Sequence, residues 1–268
     1  MIDSSAQQAG NSPGTGTFDR DEVTFDRDEV DRFGRMAAEW WDPNGKFRPL
    51  HQLGPARLAF IRDQLQRHFQ QTGGASRASL RPLAGLRVLD IGCGGGLVAE
   101  PLCRMRARVT AIDPSEETIE TARAHSGPQG LDIDYRAART EDLVAAGETF
   151  DAVTCLEVLE HIPDPAAFLA IAARLVRPGG VMIVSTINRT MKSYALAIVA
   201  AEYVLGWLPR GTHQWERFIT PDEMARHLAA AGLTGVRTEG VVYDPLRDVW
   251  NRSDADTDVN YMMAASKS

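Results

Sequence analysis

"VLDIGCGGGLVAE", Val88 to Glu100, decides the fold. A run of Val, Leu and Ile ending in Gly92, Gly94, Gly95 and Gly96 and passing into a helical pattern is a strand, a turn and a helix. Such a turn lets the backbone approach a ligand closely and presents helix N–H groups to its polar atoms. That geometry suits a nucleoside cofactor. The dinucleotide fingerprint needs glycine at its first, third and sixth positions, and the sixth position counted from Gly92 is Leu97, so the nicotinamide reading loses ground. Asp113 closes the next apolar run, "RVTAID", about twenty residues past the first glycine, where an acidic side chain meets ribose hydroxyls. Each feature has a plainer reading: Asp90 as a solvated strand end, Asp113 as a helix cap before Pro114, the glycines as a tight turn. Their occurrence in order is what favours a binding site.

Working outward, "RVLDI", "RVTAID", "IDYRA", "FDAVTCL" and "GVMIVST" alternate with amphipathic helices, the pattern of a parallel sheet covered on both faces. "GVRTEGVVYDP" and "VNYMMAAS" add two strands, which predicts seven in all. Upstream, Leu50 to Phe69 has helical periodicity, and "TFDRDEV" occurs twice in tandem, at Thr17–Val23 and Thr24–Val30. The second copy leads into a helix with Val30, Phe33, Met36 and Ala37 on one face. Nothing chemical is duplicated with the repeat, which reads as an incidental extension of a solvated helix. The expected organisation is a disordered tail over 1–29, a helical cap over 30–82 and an α/β domain over 83–268, with an apolar insertion at 190–213. A formal charge of -7 argues against a nucleic-acid partner. Cys93, Cys103 and Cys155 have neither disulfide nor metal-ligand spacing, and the N-terminus lacks the features of a secretory signal, so a cytoplasmic setting is expected.

With Asp90 placed before the glycines, "LDIGCGGG" and "AIDPS" resemble the first two motifs of the class I S-adenosylmethionine-dependent methyltransferases, which implies a Rossmann-like sheet with that cofactor. The Asn/Asp-Pro-Pro-aromatic motif of enzymes that methylate base amines is replaced after the fourth strand by "CLEVLEHIPDP". A closer resemblance spans the chain from about Val30 to its end. "AAEWWDPNGKFRPLHQLGPARLAFI", "DAVTCLEVLEHIPDP", "VRPGGVMIVSTINRT", "AEYVLGWLPRGTH" and "DVNYMMAA" are similar to the ubiquinone biosynthesis O-methyltransferases. The resemblance implies O-methylation of a polyprenyl catechol and of a demethylubiquinol, with other quinone-biosynthesis enzymes as potential partners. By position it implies that Arg57, Gly92, Asp113 and Leu156 contact S-adenosylmethionine, alongside Asp90 and Gly94 of the glycine motif. The alternatives are methylation of another small phenol and a non-catalytic cofactor-binding role.

Methyl transfer from a sulfonium needs alignment and a dry site more than a covalent nucleophile. A phenol does need help to lose its proton at neutral pH. Two routes stay open. His161 accepts the proton as general base, oriented by Glu157 or Asp164. Alternatively Glu157, Glu160 and His161 hold a divalent cation such as magnesium that binds the catechol oxygens, an option the resemblance strengthens. Spacings of three and four would put these three side chains on one helical face. The insertion, Met191 to His213, is too broken by Lys192, Ser193, Glu202 and Pro209 to span a bilayer. It is either a lid over the site or a helix at the inner-membrane interface, in transient contact with lipid.

Overall fold

The structure is a computed structural model that describes residues 26–71, 81–196 and 214–268. The first copy of the repeat and residues 197–213 of the insertion lie outside the described residues. Eight strands form one sheet: β1 (Arg87–Ile91), β2 (Arg108–Asp113), β3 (Ile133–Ala137), β4 (Phe150–Leu156), β5 (Val176–Ile187), β6 (Leu233–Asp244), β7 (Val249–Ser253) and β8 (Asn260–Lys267). Their order is β3-β2-β1-β4-β5-β8-β6-β7. The first five are parallel, and β8 runs antiparallel between β5 and β6. The seven expected strands are all present. The eighth, β7, pairs only with β6 at the sheet edge and has no fully buried residue.

β1 and β4 are buried along almost their whole length because helices cover both faces. Alternate residues serve opposite cores. Val88 and Ala152 pack with Phe60, Ile61 and Leu65 of α2 (Arg48–Gln71). Leu89 and Val153 pack in the second core with Phe168 and Leu169. The order of strands reverses between β1 and β4, so the crevice at their carboxyl ends is where a ligand belongs.

The N-terminal helix α1 spans Arg27–Arg35 and is capped by Asp26, whose side chain accepts from the Glu29 amide. It begins three residues inside the expected tail and ends before Met36 and Ala37, which belong to the next turn. Trp40 and Phe47 stack with centroids 3.8 Å apart, and with Ala37 they form a small third core. Trp41 Nε1 donates to the Gly95 carbonyl at 2.9 Å, tying this cap to the glycine turn. No described helix is long and apolar enough to cross a membrane.

Candidate active site

The turn after β1 is built for close approach. Gly92, Gly94 and Gly96 have φ of 67°, 53° and 95°, a region L side chains rarely adopt. A Cβ on Gly92 would lie 2.4 Å from Val158, and one on Gly94 would lie 2.5 Å from the Trp40 ring. Asp113 stabilises the turn from the neighbouring strand: Oδ2 accepts from the Gly94 amide at 3.2 Å and Oδ1 from the Ser115 amide at 3.0 Å. Ser115, rather than Asp113, caps the helix that follows, α3 (Glu116–Ser126). Burial pushes the Asp113 carboxyl up to about 6.

Asp90 is 2 % exposed, with Oδ1 accepting from Thr154 at 2.7 Å and Oδ2 without a partner among the described residues. Burial pushes its carboxyl up to about 7. Arg57 is 3 % exposed; its Nη2 donates to the Leu50 carbonyl at 3.0 Å, and its Nε has no partner among the described residues. Burial lowers its pKa against the opposing pull of Glu157, Asp90 and Glu160. Polar atoms this deep with bonding capacity to spare can engage a charged ligand. They fit a molecule bearing both an ammonium and a carboxylate. S-adenosylmethionine carries both on its methionine end, and Asp113 faces the glycine turn.

The segment after β4 does not turn as an α-helix. Glu157 sits at φ 54°, outside the short 3-10 turn Leu159–His161. Its backbone N–H donates to the Ser185 carbonyl at 3.1 Å, and the Ser185 hydroxyl donates to its Oε1 at 2.7 Å. Glu160 is buried, accepts from Thr186 at 2.8 Å, and is pushed up to about 8 by burial and by the charge of Glu157. His161 Nδ1 lies 3.1 Å from Oε2 of Glu29 on α1, and its ring lines the larger cavity together with Glu157 and Glu160. Asp164, expected as a partner for His161, instead accepts from the Ala167 amide and caps the helix over Pro165–Ala172, α4.

The spacing argument therefore fails at this point, since a left-handed residue followed by a 3-10 turn does not share one helical face. As placed, Glu157 and Glu160 accept from Ser185 and Thr186, and His161 directs Nδ1 at Glu29. Among the described residues no group of three His, Cys, Asp or Glu side chains is arranged to hold a metal ion. Glu29, which sequence reading passed over as part of an incidental repeat, belongs to the site. The signal was there in its spacing of four from Phe33, a residue already assigned to the helix's inner face.

Two cavities meet here. The smaller, of about 150 Å³, is lined by Asp113, Pro114, Thr140, Val158 and Ile162. The larger, of about 570 Å³, takes in Arg57, Asp90, Leu156, Glu160 and many apolar side chains. Phe33, Trp40, Gly92, Glu157 and His161 line both and form the waist between them.

This sheet order, with a glycine turn and an acidic residue ending β2, defines a methyltransferase, and the methyltransferase domain family matches residues 56–238. A SAM-dependent methyltransferase from Thermotoga maritima, a possible histamine N-methyltransferase, superposes with a TM-score of 0.59 at 17% identity, over 88% of this chain and 98% of its own. Magnesium protoporphyrin IX methyltransferase from Synechocystis, with SAM bound, superposes at 0.51 with 18% identity over 80% of each chain. These likenesses concern the fold. In sequence, the chain is 56% identical over 244 residues to the ubiquinone biosynthesis O-methyltransferase of Rhizobium rhizogenes, covering 91% of this chain and 96% of that one. It is 54% identical to the protein of that name from Parvibaculum lavamentivorans, over 89% of this chain and 92% of the relative. The chain belongs to the family of ubiquinone biosynthesis O-methyltransferases.

Proposed function

We propose that the protein methylates a ring hydroxyl of a polyprenylated catechol and of a demethylubiquinol, with S-adenosylmethionine as donor. The observation that carries this reading is the pair of cavities joined at a waist that contains His161. The smaller suits a nucleoside. The larger combines charged groups for an amino acid end with enough apolar lining for an aromatic ring and a prenyl tail.

S-adenosylmethionine supplies an electrophilic methyl group on its sulfonium. Asp113 would hold its ribose hydroxyls, Arg57 its carboxylate and Asp90 its ammonium, while Gly92, Gly94 and Leu156 supply close backbone and apolar contact. Trp40 and Phe33 narrow the waist and exclude water, which strengthens each charge interaction inside. His161 accepts the proton of the ring hydroxyl as its oxygen becomes the nucleophile. Glu157, held by Ser185 in a strained backbone conformation, faces the same waist and keeps it negatively charged, which favours a cationic cofactor over its neutral product.

A tail of isoprene units is carried in a membrane, so transient contact with lipid is part of the proposal. Leu196 and Pro245 line the larger cavity, and nearby Met191 and Leu246 are 73 % and 96 % exposed. The test is methyl transfer to demethylubiquinols with no, one or several isoprene units, in solution and in phospholipid vesicles. Turnover should rise with the first units. Equal turnover on a catechol with no tail would replace this reading with one of a general small-phenol methyltransferase.

A further inference from the structure

The carboxylates near His161 in sequence are engaged elsewhere: Glu157 with Ser185, Glu160 with Thr186, Asp164 with the Ala167 amide. The carboxylate that reaches the ring comes from more than a hundred positions upstream. We infer that Glu29, on a helix outside the matched methyltransferase domain, is the positioning residue that orients His161 for proton transfer. This deepens the proposed function and rests on its assignment of His161 as proton acceptor.

The geometry is held on several sides. Glu29 Oε2 lies 3.1 Å from His161 Nδ1 and 2.6 Å from Arg32 Nη2, so one oxygen links the guanidinium to the imidazole. The side chains of Glu29 and His161 are each only 16 % exposed, which limits competition from water. Asp26 accepts from the Glu29 amide and fixes the first turn of the helix. One turn further on, Phe33 sets its ring at 81° to the imidazole with centroids 5.3 Å apart, so α1 grips His161 by a carboxylate and an aromatic edge from the same face. A carboxylate accepts and does not donate, so the proton of neutral His161 resides on Nδ1 and the basic lone pair on Nε2. His161 thus keeps a basic nitrogen while its ring lines both cavities.

The test uses the full-length protein and a short-chain demethylubiquinol. Glu29→Gln should lower kcat by about 10²-fold, the lower end of what a positioned base contributes, with the cofactor Kd unchanged. Glu29→Asp should recover part of that loss. In a His161→Asn background the same Glu29→Gln change should alter kcat less than about twofold, since a positioning residue has nothing left to position. An equal loss in both backgrounds would assign Glu29 a structural role and overturn the inference. If His161→Asn alone leaves kcat intact, it is the proton-acceptor role that fails. A measurement independent of activity guards against variants that do not fold: long-range ¹⁵N spectra of the wild-type protein should show His161 protonated at Nδ1. A ring protonated only at Nε2 would refute the assignment outright.

Discussion

The turns after β1 and β4 end neighbouring strands at the same edge of the sheet and solve opposite problems. The first must bring backbone close to a ligand, and it does so with glycines whose positive φ carries little strain. The second must present a charged side chain, and Glu157 adopts φ 54° to do so, a conformation costing an L residue about 1–2 kcal/mol. Where only backbone is needed the chain uses glycine, and where a side chain is needed it tolerates strain. The two turns also interlock: the space above Gly92 is filled by Val158 from the second turn.

The largest effect that sharpens this contrast belongs to the first turn. Gly92→Val places a branched side chain at φ 67° with its Cβ 2.4 Å from Val158. It should lower stability by about 3 kcal/mol or more and abolish detectable cofactor binding, as thermal unfolding and calorimetric titration would show. Retention of wild-type affinity would mean that the turn does not carry the cofactor.

The second effect concerns the other turn and has a definite sign with pH. Glu160 has its carboxyl raised from an ordinary value of 4.5 to about 8. The folded protein therefore binds a proton that the unfolded chain has released, and the associated stability is full below about pH 4.5 and lost as pH rises through about 8. Glu160→Gln mimics the protonated form. It should match the wild-type melting temperature near pH 5 and exceed it at pH 9; a constant difference at both would show that Glu160 does not titrate as described. Asp90 and Asp113, raised to about 7 and about 6, add the same slope at lower pH.

The smallest effect isolates backbone strain. Glu157→Ala and Glu157→Gly both remove the bond from Ser185, but only glycine relieves the left-handed conformation. The glycine variant should be the more stable by about 1 kcal/mol in chemical denaturation. If alanine is the more stable, the backbone at 157 is not strained and the contrast between the turns fails.

The seven main strands and the glycine turn were legible because continuous burial writes itself as apolar runs, and because Asp90 and Asp113 stand at fixed offsets from glycines. β7 escaped notice because an edge strand with no fully buried residue needs no apolar run; "VWNRS" alternates only weakly. The trio after β4 lines the larger cavity, but it does not form one helical face. Spacing predicts a shared face only if the backbone is helical, and the hydrogen bonds of Glu157 to Ser185 hold it otherwise. Glu29 was hidden for a different reason. A solvated acidic residue on a helix and one that meets a histidine after the fourth strand look alike until the sheet brings position 161 beneath position 29.

One tryptophan of the cap makes the waist of the site visible to light. Trp40 leans on Gly94 and Gly95 and lines both cavities, so its emission senses occupancy of the waist. Trp41, one residue on, stacks on His125 with centroids 3.4 Å apart and lines neither of these cavities. The molecule thus carries an indicator at the waist, and Trp40→Phe should remove its share of the ligand-dependent emission while leaving that of Trp250, which lines the larger cavity.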